Sequence, residues 1–194
     1  MLKPKKFTAA VSFIFSSSAF SEAEILLIQR SEEENDPWSG HMAFPGGGMD
    51  EGDEGDSLNT AIRETSEEVG LLLNKNNLIE KAPTVRPYRT FHEMELELVP
   101  YVFAQKFDIQ DLSPCQIEVK KVISVPFQLF LDESNYRKFS SIDNHWGCDV
   151  WDGPPVWGLT LDIILQFITE HSDLFTVNSA FLNDYKIRRS RYLD

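Results

Sequence analysis

Residues 46–71 read GGGMDEGDEGDSLNTAIRETSEEVGL. Three consecutive glycines allow the backbone to turn sharply and to approach a ligand closely. After Asp56 or Ser57, each a suitable N-cap, apolar residues recur at helical spacing until Gly70, a typical C-terminal stop. This stretch therefore predicts a glycine-rich loop that leads directly into a helix over residues 56–70.

The predicted helix has two different faces. One is an apolar stripe at helical spacing, and the other carries three glutamates at positions i, i+3 and i+4. The stripe consists of Leu58, Ala61, Ile62, Thr65 and Val69, and the acidic face of Glu64, Glu67 and Glu68. Two unit charges about 4 Å apart repel by on the order of 4 kcal/mol at an effective dielectric of about 20. No interspersed Lys or Arg offsets this repulsion, so we predict that the acidic face binds a divalent cation.

The chemistry of these side chains predicts which cation they bind. All of the ligands are hard oxygen atoms, with no His or Cys nearby at metal-ligand spacing, so the expected ion is Mg²⁺ or Mn²⁺. Such an ion keeps coordination positions open for water and for substrate phosphates. The glycine-rich loop adds a backbone carbonyl and room for a diphosphate. Loop and helix together predict metal-assisted hydrolysis of a phosphoanhydride.

Length, charge and cysteine content limit the remaining possibilities. The chain has 194 residues, which fits one domain. Its net charge of −13 argues against non-specific binding to nucleic acid or to anionic membranes. No apolar run reaches the roughly 18 residues of a transmembrane helix. Two cysteines, Cys115 and Cys148, are too few for a disulfide framework and predict a reducing, cytoplasmic location; one disulfide between them is the alternative.

Further elements are predicted on both sides of the central helix. Residues 7–15 are apolar and form, in the prediction, a hairpin with residues 25–29; a signal peptide is the alternative, disfavoured because the apolar run is short. Strands are also expected at 95–103 and 119–125, followed by a helical turn at 126–131.

A second helix is predicted over residues 158–172. Thr160 is its expected N-cap. Its apolar stripe consists of Leu161, Ile164, Leu165 and Ile168.

The central stretch resembles the signature of the Nudix hydrolases. That signature is Gly, five residues, Glu, seven residues, then Arg-Glu-U-x-Glu-Glu-x-Gly-U with U apolar, and here Gly48, Glu54 and residues 63–71 are similar to it. Two departures occur, because eight residues rather than seven separate Glu54 from Arg63, and Thr65 occupies an apolar position. The resemblance implies an α/β fold, a Nudix-like α/β/α sandwich with a mixed β-sheet, formed by residues 1–194 as a single domain.

Flanking segments resemble the coenzyme A diphosphatase branch of this family. Residues 26–31 (LLIQRS) are similar to its Leu-Leu-Thr-x-Arg-Ser, residues 40–47 (GHMAFPGG) to its Gly-x-x-x-Phe-Pro-Gly-Gly, and residues 156–160 (VWGLT) to its Trp-Gly-x-Thr. The branch has an Arg between the first two segments, whereas residues 32–40 contain no Lys or Arg and Asp36 lies near its place. A sister group with another nucleoside diphosphate substrate is therefore an open alternative.

The resemblance also implies roles for individual residues. Arg63 orients the carboxylates through a salt bridge, and Glu54 supports the metal site without binding the ion. Glu118 is an additional metal ligand or the general base, with a surface glutamate at a strand edge as the alternative; the base could equally come from the helix. The implied metal ligands are Glu64, Glu67, Glu68 and the carbonyl of Gly48 or Gly47. The implied substrate contacts are Arg30, Gly46, Gly47 and Arg89.

The predicted activity is a Mg²⁺- or Mn²⁺-dependent hydrolysis of the phosphoanhydride bond in a nucleoside diphosphate derivative. The branch implies coenzyme A or acyl-CoA as substrate, with 3′,5′-ADP and 4′-phosphopantetheine as products. The alternatives are a pyrophosphatase for nucleotide sugars or dinucleotides and a Nudix module that binds a nucleotide without catalysis. The expected partner is a small molecule rather than nucleic acid or membrane, and the family implies a homodimer.

Overall fold

A computed structural model describes residues 5–34, 36, 38–87, 94–139, 145–175 and 182. Ten strands and two α-helices lie in these residues. The strands are β1 (Lys5–Phe15), β2 (Glu24–Arg30), β3 (Met42–Ala43), β4 (Gly46–Gly48), β5 (Leu78–Lys81), β6 (Met94–Ala104), β7 (Val119–Pro126), β8 (Tyr136–Phe139), β9 (His145–Cys148) and β10 (Val156–Trp157). The helices are α1 (Ser57–Val69) and α2 (Gly158–Glu170).

The main sheet has seven strands and is mixed. Its path runs β3-β2-β1-β6-β5, with β4 added beside β1 and β7 beside β2. β1 pairs in parallel with β6 along its whole length, and its other edge pairs with β4 and then, at Phe15 and Ile25, with β2. The strand predicted at 7–15 is confirmed, but the predicted hairpin is reduced to one residue pair because β4 occupies most of that edge. β8, β9 and β10 form a separate small sheet.

The two helices cover opposite faces of the main sheet. Successive side chains of a strand point to opposite faces, and β1 follows this rule. Ile14 packs with Ala61 of α1, whereas Phe13 and Phe15 pack with Phe167 of α2. The predicted α/β/α arrangement with a mixed sheet is confirmed.

The helix ends test the predicted caps. The Asp56 carboxylate accepts a hydrogen bond of 2.9 Å from the backbone N–H of Leu58, and Gly70 ends α1 with a φ of 74°, so both predictions are confirmed. α2 begins at Gly158, and its expected cap is wrong. Thr160 lies inside the helix, where its hydroxyl donates to the Met42 carbonyl at 2.9 Å and fastens α2 to β3.

Other predictions have mixed outcomes. β6, β7 and the 3-10 turn at Phe127–Leu131 confirm the elements predicted around residues 95–131. Both cysteines are free thiols, so the disulfide alternative is wrong. No helix in the described ranges is long and apolar enough to cross a membrane. The cytoplasmic location, the homodimer and the single domain spanning the whole chain stay predictions.

Candidate active site

A cleft of about 180 Å³ opens where α1 meets the sheet. Four segments line it: the end of β2 with the loop that follows, strand β4, the helix α1, and the residue before β7. The lining residues are Arg30, Ser31, Glu33, Asp36, Gly46, Gly47, Gly48, Glu64, Glu68 and Glu118. The cleft therefore combines a glycine strand with the acidic helix face, as the sequence predicts.

The three glycines form strand β4 rather than a loop, antiparallel to β1. A Cβ atom on Gly47 would lie 2.5 Å from Cδ of Glu64, and one on Gly46 would lie 2.3 Å from the Ala10 carbonyl oxygen. Both distances are far below van der Waals contact. Glycine is therefore needed here because its missing side chain lets β4 lie directly against β1 and the carboxylate of α1.

Glu68 is the most deeply buried carboxylate of the cleft, with 2% of its surface exposed. One oxygen accepts a hydrogen bond of 2.8 Å from the Gly46 N–H. Burial raises the pKa of Glu68 to about 8, and the charges of Glu64 and Glu118 add to this effect, while the Gly46 N–H and Arg30 oppose it. Without a bound cation, the protonated form of Glu68 is therefore well populated near neutral pH.

Glu64 and Glu118 face Glu68 from two sides. Glu64 is half-buried, and burial raises its pKa although Arg63 donates a hydrogen bond of 2.9 Å to it. Glu118 is exposed, and its charge acts on both other carboxylates. It reaches the cleft because the Ser31 N–H donates to its carbonyl oxygen at 2.9 Å, which ties the start of β7 to the end of β2.

Arg63 organises the outer side of this carboxylate group. Its Nη1 donates to Glu64 and to Glu67, each at 2.9 Å, and its Nη2 donates to the Gly48 carbonyl at 3.1 Å. Glu67 lies outside the residues that line the cleft, with 57% of its side chain exposed. The structure thus brings Arg63 to the carboxylates as the resemblance implies.

The arrangement of glycine strand, helix and carboxylates agrees with comparisons to known proteins. The family model of the NUDIX domain matches residues 6–142. The chain belongs to the Nudix family. Nudix hydrolase 15, mitochondrial, of Arabidopsis thaliana is 27% identical over 175 residues, which cover 84% of this chain and 58% of that protein. An uncharacterized protein of Schizosaccharomyces pombe is 55% identical over 53 residues, or 27% of this chain and 16% of that protein.

A solved structure is similar to this Nudix chain across most of its length. The NUDIX domain of Shewanella oneidensis NrtR, crystallised with ADP ribose, has a TM-score of 0.56 and 18% identity, covering 85% of this chain and 88% of that one. At this identity the likeness concerns the fold. Among the curated relatives, the chain spans 58% of the Arabidopsis protein and 16% of the yeast one. The family and fold are confirmed, and the coenzyme A branch stays a prediction.

Asp53, rather than its neighbour Glu54, is bonded to Arg63 in this Nudix chain. Arg63 donates to both oxygens of Asp53 at 2.9 Å, and these bonds hold the pKa of that buried carboxyl well below its usual range. Glu54 is exposed on a left-handed turn with a φ of 57°. Its side chain makes no hydrogen bond or ion pair with the residues that the structure describes. The structure therefore gives Asp53 the contact with Arg63, and the supporting role of Glu54 stays a prediction.

The sequence around Asp53 contains a pattern that predicts only its contacts with neighbouring residues. Asp50 and Asp53 form a capping box around one 3-10 turn, in which each side chain accepts from a backbone N–H of the other end. The Thr60 hydroxyl completes the contacts of Asp53 at 2.8 Å. A capping box shows that Asp53 has local partners, whereas its pairing with Arg63 depends on how α1 packs.

The predicted substrate contacts have different outcomes. Arg30, Gly46 and Gly47 all line the cleft. Arg89 lies outside the described residues. Asp36, which the sequence left without a role, also lines the cleft and forms an ion pair with Arg30 at 2.9 Å.

The cleft suits a divalent cation although no group of three His, Cys, Asp or Glu residues in the described part of the chain already has metal-ligand geometry. Glu68 is a desolvated carboxylate whose hydrogen-bond partner is a neutral N–H, and two further carboxylates repel it. The Gly48 carbonyl accepts from Arg63 and retains a second lone pair. Donors that are all oxygen, in a cleft lined by five carboxylates and one guanidinium, fit Mg²⁺ or Mn²⁺.

Proposed function

We propose that this Nudix chain is a hydrolase that cleaves the phosphoanhydride bond of a nucleoside diphosphate derivative with Mg²⁺ or Mn²⁺. The observation that carries the proposal is the convergence of Glu64, Glu68 and Glu118 on a cleft floored by a glycine strand. Its family membership and the names of its Nudix hydrolase relatives support the same activity.

The proposed roles follow from the contacts of each residue. Glu64, Glu68 and the Gly48 carbonyl hold the cation, and Glu67 joins them from the exposed side of α1. When bound, the cation neutralises diphosphate charge and lowers the pKa of a water molecule. Glu118 is exposed beside these carboxylates, so we assign it the proton of the attacking water.

Arg63 and Asp53 act through other side chains in this proposal. Asp53 accepts from two nitrogens of the guanidinium, Nε and Nη2, and the third nitrogen, Nη1, then donates to Glu64 and Glu67. The backbone of Gly46–Gly48 leaves space for the diphosphate because no side chain projects from it into the cleft.

Coenzyme A or acyl-CoA is the first proposed substrate, giving 3′,5′-ADP and 4′-phosphopantetheine. The segments at 26–31, 40–47 and 156–160 support it. A nucleotide sugar or dinucleotide is the second candidate, and the specific observation in its favour is that Asp36 pairs with Arg30 where the branch would have an Arg. The ADP ribose bound by the NrtR domain belongs to this second class.

A substrate panel tests the proposal. Purified chain is incubated with coenzyme A, ADP-ribose, a nucleotide sugar, a dinucleoside polyphosphate and NADH, each with Mg²⁺, Mn²⁺ or EDTA, and the products are identified by mass spectrometry. We expect metal-dependent release of two phosphorylated products from at least one compound, and ¹⁸O-labelled water identifies the phosphorus attacked. Tight calorimetric binding without turnover would favour the non-catalytic module, and neither binding nor turnover would refute the proposal.

A further inference from the structure

Arg30 has a distinctive place at the mouth of the cleft. It is the one cationic side chain among the described residues that line the cleft, which otherwise carries five carboxylates. The register between β2 and β7 shifts between Gln29 and Arg30, and such an irregularity redirects side chains at a strand end. The charge of Arg30 acts on Glu68, so the guanidinium lies near the proposed metal ligands.

Asp36 holds this guanidinium with a fixed carboxylate. One oxygen of Asp36 accepts from Nη2 of Arg30 at 2.9 Å, and the other accepts from the Trp38 backbone N–H at 2.9 Å. The loop itself is closed by bonds from the Ser39 N–H to the Asp36 carbonyl and from the Gly40 N–H to the Ser31 carbonyl. Because both oxygens are engaged, Asp36 sets the direction of the Arg30 side chain.

The donors of Arg30 are only partly used. Nε is buried and has no hydrogen-bond partner within the described residues. A buried donor without a partner is unfavourable, and a phosphate oxygen is the acceptor that a guanidinium fork binds best. The bond to Asp36 engages Nη2, so the guanidinium of Arg30, which lines the cleft, keeps unused donors.

We infer that Asp36 is a positioning residue, which holds Arg30 against the cleft wall so that its remaining donors bind a phosphate of the substrate. This inference rests on the proposed function, because it assigns the Arg30 side of the cleft to the diphosphate. Asp36 itself does not contact the substrate. Its negative charge partly offsets the positive charge of Arg30, which weakens the attraction for phosphate. In return, the guanidinium is already oriented before the substrate binds, so less conformational entropy is lost on binding.

A double-mutant cycle in binding tests the inference. Calorimetry with α,β-methylene-ADP and Mg²⁺ compares the wild-type chain with Asp36→Asn, Arg30→Met and the double variant. We expect Asp36→Asn to weaken binding by about fivefold to tenfold, the range of one charge-assisted contact, when Arg30 is present. In the Arg30→Met background the same change should alter binding by less than about twofold, because there is no guanidinium left to orient.

Two further variants separate positioning from general damage to the fold. Asp36→Glu keeps the carboxylate and should recover part of the lost affinity. Asp149→Asn removes another aspartate that is paired with an arginine, Arg137, on the small sheet away from the cleft, and it should bind like wild type. In turnover assays Asp36→Asn should raise KM more than it lowers kcat, since ground-state binding is affected.

Four outcomes would overturn the inference. Equal losses from Asp36→Asn with and without Arg30 would give Asp36 a role independent of Arg30. Tighter binding by Asp36→Asn would mean that its carboxylate competes with phosphate. If the wild-type chain is active and Asp36→Asn leaves its binding and turnover unchanged, the inference alone is refuted. If the wild-type chain neither binds nor hydrolyses any nucleotide, the proposed function is refuted with it.

Discussion

The two faces of the central sheet each have an apolar cluster, but they differ in the side chains packed with it. On the α2 face, aromatic rings pack against one another, with Phe13 and Phe15 at 4.5 Å and Phe13 and Phe167 at 5.3 Å between ring centroids. On the α1 face, hydroxyl and carboxylate groups are buried, including Asp53 and Glu68. Both faces supply apolar burial, and α2 also carries the buried Asp162. The α1 face differs because it carries the buried carboxylates beside the cleft, which are costly to bury and which the proposed chemistry needs.

The polar groups of the α1 face differ in how well they are paired. Asp53 has a complete set of partners, including an arginine. The hydroxyls of Ser12 and Thr65 lie 2.8 Å apart, and each is within 3.0 Å of the Ala61 carbonyl oxygen. Glu68, in contrast, has a neutral N–H and two repelling carboxylates. Glu68, the buried carboxyl that has no cationic hydrogen-bond partner, thus lies at the cleft.

The largest expected effect comes from removing the Glu68 carboxyl. Glu68→Gln should reduce metal-dependent turnover by more than the roughly 10–100-fold typical of residues that only support a metal ligand. Initial rates with saturating Mg²⁺ measure it. Glu170→Gln makes the same change on the exposed end of α2 and should retain wild-type rates. Equal rates for wild type and Glu68→Gln would remove Glu68 from the proposed metal site.

The stability of the metal-free protein should depend on pH through the same group. The pKa of Glu68 is about 8 in the fold, above its ordinary 4.5, so the protonated carboxyl stabilises the fold below about pH 4.5 and this contribution is lost as pH rises to 8. The loss is at most about 4–5 kcal/mol at 1.36 kcal/mol per pH unit. Urea unfolding in EDTA at pH 5 and pH 8 should show a smaller decline for Glu68→Gln than for wild type, and added Mg²⁺ should reduce the wild-type decline.

The α2 face should respond in stability and not in catalysis. Phe167 is fully buried among the rings of Phe13, Phe15 and Phe127. Phe167→Ala should lower the free energy of unfolding by about 3–5 kcal/mol. The KM of the molecules that remain folded should be unchanged. A large change in KM with little loss of stability would contradict the separation of the two faces.

A paired test distinguishes Asp53 from its neighbour. Asp53→Asn leaves the Arg63 guanidinium without its buried counter-ion and should cost about 2–4 kcal/mol of unfolding free energy, together with a loss of turnover. Glu54→Gln changes an exposed side chain and should cost less than about 0.5 kcal/mol. Chemical denaturation of both variants measures the difference. The reverse order of effects would restore the role that the family signature implies for Glu54.

The smallest expected effect concerns the hydroxyl pair beneath α1. Thr65→Val restores the apolar residue of the signature but leaves Ser12 with one partner fewer, so we expect a loss of about 1 kcal/mol. The double variant Ser12→Ala/Thr65→Val removes both hydroxyls and should recover most of this loss. Thermal unfolding of the single and double variants measures the coupling. Additive losses would show that the two hydroxyls act independently.

The parts of the molecule that could be predicted are those with local causes. The bounds of α1 follow from Asp56 and Gly70, and its acidic face follows from residues three and four positions apart. The role of Thr160 at the start of α2 could not be predicted in this way, because its hydroxyl bonds to Met42, far away in the sequence. The predicted hairpin of β1 and β2 has too many residue pairs, because β1 pairs instead with β4 and β6, which lie far from it in the sequence.

The features of the candidate site also divide into those with local causes and those that depend on distant segments. The sequence alone contains the family signature, predicts the helix that carries Glu64, Glu67 and Glu68, and predicts a cation beside them. Only the tertiary structure decided that Asp53 pairs with Arg63, that Asp36 pairs with Arg30, and that Glu68 is the buried member of the group. The physical reason is that helix periodicity depends on near neighbours, whereas desolvation and ion pairing depend on which distant segments pack together.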